Sequence, residues 1–178
     1  MDHMARRRIW GAAMALPIIG LSFFSSCTSP APDQHTQVRT QVEATMNAFA
    51  AMDLDAFMHG MAAEVTAYEF DMDGTPLRLG SRDEVKGFAT GVFDAMRNMD
   101  AKLSITFDRV DVQVDGDLAA CAVEFDSDAR MPDGAVTSQP TRNTVVLHRD
   151  ADGWKWTHWQ SSAAVAAPAT EPPAGPDA

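Results

Sequence analysis

From Gln34 onward the apolar residues Val38, Val42, Met46 and Phe49 recur at three- and four-residue steps, which puts one buried stripe on a first helix. Asp53 follows as the N-cap of a short second helix whose Leu54, Phe57, Met58 and Met61 turn inward. Residues 65–71 read as a strand, Asp71-Met72-Asp73-Gly74 as a turn, and residues 76–79 as a short return strand. Ser81 and Glu84 have the spacing of a capping box, and behind them Val85, Phe88, Ala89, Val92, Phe93 and Met96 keep helical spacing in a third helix.

After Ala101 the period changes to two. Leu103, Ile105 and Phe107 share one parity and Val110, Val112 and Val114 the other, so one extra residue near Asp108-Arg109, a β-bulge, would bring all six to one face and bend the sheet. Asp115-Gly116 then predicts a hairpin turn and residues 118–128 a strand. Pro132-Asp133-Gly134 predicts the next turn, residues 135–149 a strand, and Asp150-Ala151-Asp152-Gly153 the entry to a last strand beginning WKWTHWQSS. The pattern predicts an α+β domain: three N-terminal helices packed on a curved antiparallel sheet, forming a cone with an internal cavity.

The ends differ from this middle. Arg6, Arg7 and Arg8 precede an apolar run over residues 9–24, too short to span a bilayer, and then Ser25-Ser26-Cys27. Residues 1–26 are therefore expected to be a signal peptide. Phe24-Ser25-Ser26-Cys27 resembles the lipobox of bacterial lipoproteins, which implies lipidation of Cys27 and a tether over residues 27–35. Plain secretion or an uncleaved N-terminal anchor are the alternatives. Residues 163–178, rich in alanine and proline without apolar periodicity, read as a disordered tail behind a domain at 36–162.

The formal net charge of −11 makes nucleic acid an improbable partner, because phosphate backbones would be repelled. Only two cysteines occur; with Cys27 in the lipobox, Cys121 in LAACAVEF reads as a buried thiol, so neither a structural disulfide nor a cysteine zinc site is expected. The five histidines, at 3, 35, 59, 148 and 158, have no ligand spacing, and no metal or cofactor is proposed from them.

Three stretches carry a family likeness. AFAAMDLDAFMHGMAAEVTAYEF, LGSRDEVKGF and RNTVVLHRDADGWKWTHWQSS resemble, in that order, the opening helices and first strand, the third-helix start and the closing hairpin of SnoaL-like proteins, within the nuclear-transport-factor-2-like cone fold. In that family the last strand has a tryptophan, a histidine four residues on, a second histidine and a serine. Trp154, His158 and Ser162 fit, and Gln160 stands at the second histidine, keeping hydrogen bonding and giving up acid–base work there.

The resemblance implies that His158 and Gln160 look into the cone, and that the outer sheet face, with Trp159, forms a homodimer. The expected ligand-binding set is Trp156, His158, Gln160, Tyr68 and Arg142, with His158 the candidate catalytic residue, its partner a cavity carboxylate. His158 reads equally as a hydrogen-bonded structural residue, Arg142 as the partner of a surface carboxylate, and Asp71 as a turn residue. The expected function is an extracytoplasmic, membrane-anchored domain holding a small apolar or carbonyl-bearing molecule, with an isomerase-, cyclase- or hydrolase-type enzyme or a membrane scaffold as alternatives.

Overall fold

The computed structural model describes residues 32–71 and 74–163. The signal segment, Cys27 with most of its tether, and the tail beyond Ala163 lie outside the described residues. Among those described, no helix is long and apolar enough to cross a membrane.

Asp33 caps α1 (Gln34–Ala50), accepting from the Thr36 amide at 2.8 Å, and the stripe of Val38, Val42 and Met46 is buried. Asp53 caps α2 (Leu54–His59) through the Ala56 amide. The chain then enters β1 (Met61–Phe70) and β2 (Pro76–Leu79), which pair antiparallel. Met61 opens β1 instead of closing the second helix, because its backbone pairs with Trp156. Ser81 caps α3 (Arg82–Asn98) by accepting from the Glu84 amide, while the Glu84 carboxylate reaches back to the Gly80 amide, one residue earlier than in the usual capping box.

A meander follows: β3 (Lys102–Asp115), β4 (Leu118–Arg130), β5 (Val136–Asp150) and β6 (Gly153–Ala163). The bulge expected on β3 is present, since Phe107 faces Phe125 while Arg109 faces Glu124, and Asp108 is the extra residue. The first turn sits one residue later than predicted, at Gly116 and Asp117, with Gly116 at a φ of 60°.

Two fold expectations change. The sheet is mixed and not wholly antiparallel, in the order β2-β1-β6-β5-β4-β3, because β6 inserts beside β1 and runs parallel to it. The helices are not all N-terminal to the sheet: α1 and α2 precede β1, and α3 follows β2. Since β2 and β3 are the two sheet edges, α3 is the crossover that carries the chain from one to the other. Val85, Ala89 and Phe93 of α3 join the α1 stripe, Val123, Val145 and Leu147 of the sheet, and the three β6 tryptophans in one core.

Candidate functional site

The site begins with a change of parity in β6. Val146 pairs with His158 and Leu147 with Trp156, so Thr157 is a bulged residue on β6. Trp154 and Trp156 point to the inner face before it; Trp159 and Ser161 do so after it, both buried. His158 and Gln160 are turned to the outer face. The expectation that they look into the cone is therefore corrected, and so is the placement of Trp159 at an outer dimer surface: Trp159 is 3% exposed, with its ring edge-on to Phe57 and Trp156.

Tyr68 and Gln160 do come near His158, but on the outer face, and Arg142 lies on that face farther along β5. Tyr68 pairs with Gln160 and is 48% exposed, its ring edge-on to the His158 imidazole. His158 Nδ1 shares a hydrogen bond with Thr66 Oγ1 at 2.8 Å. Arg142 makes an ion pair with Glu124 at 3.2 Å, the alternative read for it from sequence. Of the predicted ligand-binding residues, Trp156 alone lines the inner cavity.

That cavity, about 710 Å³, lies between the helices and the inner sheet face. Met46, Phe49 and Phe57 close it from α1 and α2, and Phe88, Val92 and Met96 from α3. Leu103, Ile105 and Phe125 line it from β3 and β4, and exposed Thr137, Gln139 and Ala163 lie at its rim. The β3 bulge brings its valines to the inner face as well, and burial pushes the Cys121 thiol beside them up to about 11.

Within these apolar walls stands Glu69, on the same side of β1 as buried Val65 and Ala67. Its Oε2 accepts from the Trp159 indole N–H at 2.9 Å and from the Ser161 hydroxyl at 2.6 Å; its Oε1 accepts from the Phe70 amide at 3.1 Å. Three neutral donors thus fix the carboxylate, and since each oxygen offers two acceptor positions, Oε1 keeps one for a ligand. Ser161 pairs with Asn143 of β5, so Glu69, Ser161 and Asn143 form a polar row across three neighbouring strands. Asn143 is 7% exposed, and its Oδ1, like the Trp156 indole Nε1, is buried without a hydrogen-bond partner among the described residues. Asp71 also borders the cavity, where its carboxylate accepts from the Thr75 amide at 2.7 Å and shapes the turn.

Residues 38–166 match the SnoaL-like domain family. The chain belongs to that family. The SnoaL-like domain is similar in structure to an NTF2-like family protein from Streptomyces avermitilis, named for an inferred dehydratase activity. The two share 21% identity and a TM-score of 0.65, over 76% of this chain and 100% of that one. It is likewise similar to the S. rosetta CaMKII hub, at 21% identity and a TM-score of 0.60 over 75% and 99% of the two chains. A ketosteroid isomerase-like protein from Erwinia carotovora atroseptica matches at 15% identity and a TM-score of 0.55, over 76% and 100%. At such identities the likeness is one of fold. None of the curated proteins compared with the chain matches it.

The sequence pattern of this SnoaL-like domain left the cavity carboxylate unassigned and put Trp159 on the outer face. The signal was available: Trp156 and Trp159 are three residues apart, the same odd step that Phe107 and Val110 make across the β3 bulge.

Proposed function

We propose that the inner cavity of this SnoaL-like domain binds a small, mostly apolar molecule, with Glu69 receiving a hydrogen bond from its polar group. The observation that carries this is a fixed carboxylate inside an aromatic-walled cavity of about 710 Å³, a size suited to a small organic ligand. The apolar walls supply affinity by burial, and the polar row of Glu69, Ser161 and Asn143 supplies orientation.

Calorimetric titration with 2-phenylethanol tests this reading. Saturable binding is expected in the wild type and its loss in Ala129→Trp, whose indole occupies the cavity and leaves the outer face unchanged. Binding that survives Ala129→Trp would move the site elsewhere.

One observation favours a second reading, that of a proton-transfer enzyme. Glu69, held by three donors in an apolar surround, is positioned as a general base, a role His158 does not share because it faces away. Turnover of any carbonyl substrate that persists in Glu69→Gln would refute it.

Arg6 to Arg8, the apolar run and the lipobox-like Phe24 to Cys27 support a location outside the cytoplasm, with Cys27 lipidated and holding the domain at a bacterial membrane. Incorporation of labelled palmitate that is unchanged in Cys27→Ala would contradict the anchor. Pairing of two copies through the outer face is supported by exposed Tyr68 on β1, by Ala120, Ala122 and Val146 on the same face farther across the sheet, and by the likeness to a hub. Sedimentation that finds only monomers at micromolar concentration would dismiss it.

A further inference from the structure

The cavity combines features that narrow the ligand's chemistry. Among the described residues, its lining includes the carboxylates of Glu69 and Asp71 and no lysine, arginine or histidine. The three groups that hold Glu69 are neutral donors, so its charge is oriented and not neutralised by a cation. Asn143, opposite Ser161 on β5, extends the polar row along the cavity wall. The surrounding walls present the rings of Phe49, Phe57, Trp156 and Trp159.

A ligand anion would be buried against Glu69 with no basic group to meet it, a costly arrangement. A neutral alcohol could donate one hydrogen bond to Glu69 Oε1. An ammonium group could donate to Glu69 Oε1, pair its charge in a medium of low dielectric, and lie against aromatic faces that attract cations. The chain's net charge of −11 draws cations toward the cavity before contact.

We propose that the cavity selects an organic cation, a small hydrophobic amine whose ammonium group meets Glu69 and whose carbon body fills the aromatic space. This inference rests on the reading of the cavity as a ligand site and names the class of ligand it takes.

Three near-isosteric probes test it in calorimetric titrations of the purified full chain at neutral pH: 2-phenylethylamine, 2-phenylethanol and phenylacetate. The amine is expected to bind at least about tenfold more tightly than the alcohol, with phenylacetate weakest. In Glu69→Gln, which keeps an oxygen for Trp159 and Ser161, the amine's advantage should fall to within about threefold. Equal affinities for amine and alcohol, or a preference for phenylacetate, would overturn the charge selection and leave the ligand site standing. An amine preference undiminished in Glu69→Gln would overturn the role given to that carboxylate. If none of the three probes binds saturably, both the class and the cavity reading fail. The wild-type comparison decides the class whether or not Glu69→Gln folds.

Discussion

Gly60 shows how tightly individual residues set the site's frame. A Cβ there would come 2.3 Å from Thr45 Oγ1 and 2.9 Å from its Cγ2, and Thr45 is buried in α1, so the junction of α2 and β1 closes on α1 only with glycine. Gly60→Ala is expected to cost about 1–3 kcal/mol by overpacking, read as a lower urea midpoint with an unchanged slope. Cys121 offers a pH handle. Its folded pKa of about 11 lies above the ordinary thiol value of 9.0, so the native state holds the thiol proton more firmly than the unfolded chain. Stability is complete below about 9 and falls as the pH rises from 9 to 11. Cys121→Ala should flatten that fall in alkaline denaturation curves, and an identical fall in the variant would refute the assignment.

At the scale of elements, the six-residue α2 is held at both ends. Asp53 caps its start. At its close Arg82 donates to the carbonyls of Met58, Met61 and Ala62 at 2.6–2.9 Å, and Lys155 Nζ donates to the His59 carbonyl at 2.8 Å. Two cations at a helix C-terminus complement its dipole, and Arg82 ties α3 to the α2–β1 junction as well. Arg82→Ala should lower stability by about 1.5–3 kcal/mol in urea unfolding, and Arg82→Lys should recover little of it, because a single ammonium does not reproduce the fork that spans three carbonyls. The elements themselves were legible because each has a local cause: apolar steps of three and four for the helices, Asp53 and Ser81 as caps, and Gly116 and Gly134 at turns. The bulge on β3 was legible because three valines on the wrong parity follow it. On β6 Trp159 is the one large apolar residue that follows the bulge on the inner face, ahead of Ser161 and Ala163, and reading the strand as regular sent His158 and Gln160 inward. One residue of register exchanges the two faces, so the site was misassigned although the strand was found.

For the molecule as a whole, strand order was the least legible feature. Nothing local in Gly153–Ala163 announces that it will lie between β5 and β1, parallel to the latter; that pairing joins segments about ninety residues apart, such as Thr66 and His158. It also builds the site, because it sets Trp159 and Ser161 beside Glu69. On the proposed reading the inner face, with Glu69 at its centre, is the binding face of this SnoaL-like domain, and the His158 cluster lies outside it. The most direct measurement follows the tryptophan indole N–H resonances and backbone amides of ¹⁵N-labelled protein during titration with 2-phenylethanol. The indole signals of Trp156 and Trp159 are expected to move, that of Trp154, which does not line the cavity, to stay, and Glu69→Gln to shift Trp159 even without ligand. Still indoles at Trp156 and Trp159, with movement at the amides of Tyr68, His158 and Gln160, would contradict it and return the site to the outer face.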